Sequence, residues 1–263
     1  MPERRFRVGV QARPQHTTVA SMREAWRRVE DLGVETLWNW DHFFPTGGDP
    51  QGNHFECWTL LAAMAEATSR VEIGPMVTAI GYRNPALLSD MAKTVDHLSG
   101  GRLILGLGAG WMERDFREFG YEMGTIPDRM RDLRRGIEII KERWTIDMPP
   151  PVRNPIPILI GGRGEKTTLR LVARHAQIWN VIARPEVVAA KNLILDERCR
   201  EIGRDPAEIE RSANVEREDC YDEATLDAFA DAGFTHLILR FQDPWDFGAV
   251  ERLVAWRDRR NGV

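Results

Sequence analysis

The sequence is poor in cysteine and lysine and has no long hydrophobic run. Its three cysteines, Cys57, Cys199 and Cys220, are odd in number and far apart, without a CxxC or a Cys/His spacing that would hold a metal. That argues against a disulfide framework and a zinc site, and the expectation is free thiols in a reducing cytoplasm. Only four of the 36 basic residues are lysine, and the net charge is −4. The clustered basic face of a nucleic-acid binder is absent. No apolar stretch approaches the ~18 residues of a membrane span, and Met1 to Arg7 lack the apolar segment of a signal peptide. HExxH, GxSxG and paired-carboxylate signatures are missing too, so metalloprotease and hydrolase readings have no support. No metal site is expected.

What is present is alternation. Apolar, β-rich runs occur at Phe6–Ala12, Thr36–Asp41, Val71–Thr78, Leu103–Ala109, Ile156–Gly161, Ile178–Ala183, Ile209–Val215 and His236–Phe241. Continuous apolar character, as in Leu103-Ile104-Leu105-Gly106-Leu107, suits parallel strands covered on both faces. Amphipathic helical stretches separate them. Met130, Leu133, Ile137, Ile140 and Trp144 step by three or four, as do Leu87, Met91, Val95 and Leu98. Gly33, Gly203 and Gly233 each follow such a stretch and mark its end. Eight strand–helix units predict a closed (β/α)8 TIM barrel, with an open doubly wound sheet as the other arrangement of this pattern. Met148-Pro149-Pro150-Pro151 is a stiff connection rather than a linker. Residues 1–263 are therefore expected to form one domain.

In such a barrel the site lies at the C-terminal ends of the strands. The second strand ends in Asp41-His42. A carboxylate and an imidazole there can orient a ligand and exchange protons, or can equally cap a turn and pack in the core. The third is followed by Gly81-Tyr82-Arg83-Asn84-Pro85, where Asn84-Pro85 fits a helix start. The fourth ends Gly106-Leu107-Gly108-Ala109-Gly110-Trp111, which fails the dinucleotide fingerprint at its sixth position. These glycines either admit a flat ring close to the backbone or relieve crowding in the barrel wall. The fifth runs into Gly161-Gly162-Arg163, a glycine turn before a helix with an added guanidinium, which suits a phosphate or serves as a tight turn. Trp179-Asn180 at the sixth strand packs on a ring or fills the core.

Taken together, these segments resemble the bacterial luciferase-like superfamily, and within it the deazaflavin oxidoreductases that use coenzyme F420. The resemblance is carried by Leu37–Phe44, Thr68–Gly74, Tyr82–Leu88, Asp96–Arg102 (with its Leu-Ser-Gly-Gly-Arg), Leu105–Trp111, Pro157–Gly162 and Ile202–Pro206. It implies a barrel with a flavin or deazaflavin at its mouth, His42 and Asp41 beside the ring as catalytic residues, and a non-prolyl cis peptide within Met76–Ala79. The cofactor-binding set implied is Val77, Thr78, Asn84, Gly106, Gly108, Ala109, Gly161, Gly162 and Arg163. The catalytic Glu of the sugar-phosphate dehydrogenases has no counterpart in Gly108-Ala109-Gly110. The expected protein is a cytoplasmic F420-dependent oxidoreductase, a homodimer acting on a small molecule. The alternatives are an FMN-dependent monooxygenase and a cofactor binder without turnover.

Overall fold

A computed structural model describes residues 5–263. Met1–Arg4, part of the segment read above for a signal peptide, lie outside the described residues. The strands are β1 (Arg7–Ala12), β2 (Thr36–Asn39), β3 (Glu72–Pro75), β4 (Thr78–Ala79), β5 (Leu105–Gly108), β6 (Ile158–Gly161), β7 (Ile178–Val181), β8 (Glu210–Val215) and β9 (His236–Phe241). All pair in parallel, in the order β3-β2-β1-β9-β8-β7-β6-β5-β4. The expected third strand is thus two segments, one on each side of a cis Met76–Val77 peptide. Both segments face β5: β4 pairs with it, and Ile73 of β3 bridges to Leu103 just before it. The ring closes, which decides for the barrel over the open sheet.

The helices α1 (Val19–Asp31), α2 (Cys57–Ala67), α3 (Pro85–Leu98), α4 (Glu113–Glu118), α5 (Ile126–Ile146), α6 (Thr168–His175), α7 (Pro185–Glu201), α8 (Glu223–Asp231) and α9 (Phe247–Asn261) follow between and after the strands. The predicted face of α5 is buried at Leu133, Ile137, Ile140 and Trp144. On α3 the reading is rotated by about one residue. Leu87 and Leu98 are exposed, while Leu88, Ala92 and Val95 are buried. Both sets step by three or four, and only contact with α2 and α5 selects between them.

Two cores result. One fills the space between strands and helices. The other lies inside the barrel and comprises Trp38, Met76, Ile104, Leu159, Ile178 and Ile238, with Val77 against them. Close approach of neighbouring strands explains several glycines. A methyl on Gly106 would lie 1.9 Å from the Pro75 carbonyl oxygen, and one on Gly108 would lie 2.7 Å from Cγ2 of Val77. At Gly161 it would stand 3.0 Å from Cγ1 of the same valine. At both Gly106 and Gly108 a side chain would crowd the wall.

At the opposite end, Arg102 clasps the entrance to β5. Its guanidinium donates to the backbone carbonyls of Ala65, Thr68, Val71 and Ser99 and to Oγ1 of Thr68, at 2.8–2.9 Å. Those carbonyls include the end of α2, which has no intrahelical donors left. The Leu-Ser-Gly-Gly-Arg segment that carries much of the family resemblance is therefore a fastening.

Two predictions follow from packing alone. Arg102→Met orphans these carbonyls and is expected to cost about 3 kcal/mol or more in urea unfolding, with Arg102→Lys recovering only part. His175, on α6, is buried with neither ring nitrogen bonded, and burial pushes its pKa down to about 4. A histidine depressed in the fold stabilises above its unfolded pKa of about 6.5 and loses that contribution as pH falls toward 4. The midpoint of urea unfolding should drop over this window, and His175→Leu should flatten the drop by about 1–3 kcal/mol.

Candidate active site

The C-terminal ends of the strands surround a cavity of about 630 Å³. Its walls include Trp40, Asp41 and His42 after β2, Met76 and Val77 between β3 and β4, Gly108–Trp111 at the end of β5, Gly161–Arg163 at the end of β6, and Asn180–Ile182 at the end of β7. Of the residues singled out from sequence, Asp41, His42, Val77, Gly108, Ala109, Gly161, Gly162 and Arg163 come together here. Thr78, Asn84 and Gly106 stand outside the lining. Oγ1 of Thr78 accepts the Trp58 indole N–H at 3.0 Å. Asn84 caps α3, accepting from the amides of Ala86 and Leu87. Gly106 is held against Pro75.

His42 sits in the loop after β2, and its Nδ1 is 2.7 Å from Oδ2 of Asp115 on α4. Asp115 is fully buried. Its carboxylate also accepts from the Tyr82 hydroxyl at 2.9 Å and from the Phe43 amide at 3.2 Å. Burial and the neighbouring Asp115 raise the Tyr82 phenol further above its usual range, so Tyr82 stays a neutral donor. With Nδ1 committed, Nε2 is the nitrogen left for a ligand. The ring is fixed sideways as well, edge-to-face with Trp40 at 5.6 Å and with Trp111 at 5.5 Å. Trp111 is 64% exposed and forms the lip of the cavity.

Asp41 does not orient this ring. It is buried and held by Arg83 through both carboxylate oxygens, at 2.5 and 3.0 Å, and Arg83 reaches on to Glu56 at 2.6 Å. Glu56 in turn caps α2. The adjacent pair in sequence thus splits: Asp41 anchors the wall, and His42 turns toward a carboxylate 73 positions later. No local pattern announces Asp115, which lies on a six-residue helix outside every stretch singled out from the sequence. A second histidine, His54, is held down to about 4 by burial, and its neutral Nε2 accepts the Trp40 indole N–H at 3.1 Å. His54 supports the wall without entering the cavity.

The floor is polar. Gln11 donates to the Met76 carbonyl at 2.7 Å, and Asn214 donates to Gln11 at 3.4 Å. The buried Oδ1 of Asn214 has no partner, so the cavity offers an unused acceptor to the edge of a polar ring. Trp179 is fully buried and donates to the Gly162 carbonyl at 2.8 Å, which fixes the glycine turn and places this indole in the core. Gly162 has a φ of +125°, a conformation that a side chain would strain. Arg163 next to it is exposed. An open acceptor on the floor, an aromatic lip and a glycine–arginine turn on one wall fit a flat heterocycle with a phosphorylated tail. Among the described residues there is no cluster of three or more metal-ligating side chains and no helix long and apolar enough to cross a membrane.

This architecture has known counterparts. The F420-dependent glucose-6-phosphate dehydrogenase of Amycolatopsis mediterranei is 35% identical over 145 residues, 54% of this chain and 43% of that enzyme. The chain thus matches less than half the length of this relative. Among solved structures, an F420-dependent secondary alcohol dehydrogenase in complex with an F420-acetone adduct superimposes with a TM-score of 0.84 at 17% identity. The superposition covers 96% of this chain and 98% of the other. The oxygenating constituent of 3,6-diketocamphane monooxygenase from Pseudomonas putida, in complex with FMN, gives 0.75 at 13% identity, over 95% and 97% of the two chains. The family model for luciferase-like monooxygenases spans residues 5–217, and with four-fifths of its length inside that match the chain belongs to the luciferase-like monooxygenase family.

Proposed function

We propose that the chain is an F420-dependent oxidoreductase that moves a hydride between the deazaflavin and a small alcohol or carbonyl compound. The observation that carries this reading is the His42 imidazole, fixed by buried Asp115 through Nδ1 and lining the cavity. The 35% identity to an F420-dependent dehydrogenase supports the choice of cofactor. The FMN-containing neighbour supports FMN monooxygenation as the second reading.

Val77, Gly108, Ala109, Gly161 and Gly162 would pack against the cofactor, and Arg163 would pair with its phosphate through a bidentate guanidinium. Bound there, the deazaflavin supplies hydride acceptance and donation. The chain's own residues do the rest. His42 at Nε2 takes the hydroxyl proton of an alcohol as its carbon gives up a hydride, and returns a proton to the oxygen in the reverse direction. Asp115 holds the imidazole in the tautomer with Nδ1–H and stabilises the imidazolium formed. Tyr82 and the Phe43 amide keep that carboxylate in place. Trp40 and Trp111 shield the ring from water on both edges.

The cofactor assignment is tested by titration, reading intrinsic tryptophan fluorescence. F420 is expected to bind tighter than FMN by about tenfold or more, and the opposite order would establish the monooxygenase reading. Arg163→Ala should weaken F420 by about 1.5–3 kcal/mol at low salt, with a smaller loss at high salt. His42→Asn should lower single-turnover hydride transfer by about 10²–10⁴ with little change in F420 affinity. Asp115→Asn should lower it by about 10–100-fold. A His42→Asn protein that transfers hydride normally would leave the imidazole as packing.

A further inference from the structure

A second cavity, of about 560 Å³, adjoins the first, and Arg240 lines both. Arg13 lies across it. The two residues sit at the ends of adjacent strands: Arg240 is the second-last residue of β9, and the Arg13 amide extends the pairing of β1 by bonding to the Phe241 carbonyl at 2.9 Å. Arg240 bonds Glu216 at 2.5 Å. Arg13 has a neutral partner only, Oε1 of Gln242 at 2.8 Å, and lies over the Trp40 ring at 5.3 Å. Among the described residues no carboxylate is within ion-pair distance of it. The Nε atoms of both arginines are buried and have no partner. Burial and the neighbouring Arg240 pull the Arg13 guanidinium down to about 10. Two cations and one carboxylate therefore share a half-buried corner. Carboxylates at its outer edge are already engaged: Asp246 is bonded by Arg217 and Tyr221, and Glu218 lies 3.6 Å from Arg217. An uncompensated cation beside a like charge is unfavourable unless an anion completes it.

We propose that Arg13 and Arg240 form a subsite for an anionic group of the substrate, a carboxylate or a phosphate. This deepens the function proposed above and rests on that reading for the cofactor's place. Going round the barrel, β1 and β6 are separated by the same number of strands in either direction once β3 and β4 are taken as one. The corner therefore lies across the mouth from the Gly161–Arg163 turn, and the two anion seats do not compete. Trp40 contacts both groups: Arg13 lies over its ring, and His42 packs against it edge-to-face. A substrate with its charge on Arg13 and its reacting oxygen at His42 would span one indole, which fits a short hydroxy or oxo acid or a small phosphorylated alcohol. Planar guanidinium forks match the oxygens of either group.

The test reads the arginine Nε–Hε signals of the cofactor-free chain by ¹⁵N NMR during titration with inorganic phosphate, with acetate, and with chloride at matched ionic strength. The expected result is saturable movement of the Arg13 and Arg240 signals by phosphate or acetate and none by chloride. The anion with the lower midpoint identifies the group. Arg13→Gln should weaken the response of Arg240 by about tenfold or more, Arg240→Gln should do the same to Arg13, and Arg163→Ala should leave both within about twofold. If either glutamine variant fails to fold, the wild-type titration and Arg163→Ala still decide. Movement equal to that in chloride, or a response lost in Arg163→Ala, overturns the proposal. A chain that takes phosphate at this corner but not F420 fails the cofactor reading alone. One that takes F420 but shows no response here fails this proposal alone.

Discussion

One buried carboxylate organises the mouth of this barrel. Asp115 is wholly inside the protein, where a charge survives only when donors surround it. Its donors come from two other segments: the loop after β2 supplies the His42 ring and the Phe43 amide, and the turn before α3 supplies the Tyr82 hydroxyl. Aromatic contacts then fill in around those bonds. Phe43 stacks on Phe119 at 4.1 Å and lies 4.7 Å from Tyr82, and Tyr82 lies 4.9 Å from Phe116. A charge that must be satisfied thus ties α4 to the loop after β2 and to the short 3-10 turn before α3. The angle of the His42 imidazole is a by-product of the same requirement.

The wall works by a different rule. Val77 points toward strands that carry glycine at Gly106, Gly108 and Gly161, so that one branched side chain occupies volume that its neighbours vacate. Shape at this wall is therefore shared among β4, β5 and β6. Electrostatics then act on the wall from behind. Arg83 ties Asp41 to Glu56 and so joins the end of β2 to the start of α2.

The fold was legible because most parallel strands covered on both faces are apolar, and all eight runs became staves, including the seventh, whose Glu210, Arg211, Ser212 and Asn214 depart from that rule. The break at Met76–Val77 leaves no mark in an apolar run, so it came from the resemblance and not from periodicity. The rotated face of α3 shows the limit of periodicity: Leu87 and Leu88 fit equally well until a neighbour chooses. At the site, His42 was visible as an ionisable group at a strand end, and Arg163 as a charge that a plain turn does not require. Asp115 was not visible, because its importance lies in a contact across 73 residues. Arg13 and Arg240 were missed for a similar reason, since a shortage of counter-charge appears only when both are in place. Asn84 shows the opposite error, a residue near the site whose side chain is spent on capping a helix.

The Arg102 clasp lies at the end of the barrel away from Asp115. It fastens the closure of the ring by gripping backbone carbonyls, whose chemistry is the same whatever side chains they carry. Such a fastening is indifferent to changes at the mouth. Loops there can be replaced, shortened or recharged over evolutionary time without loosening the joint that keeps the cylinder shut. The same separation marks the mouth loops as the segment to exchange when a new specificity is wanted.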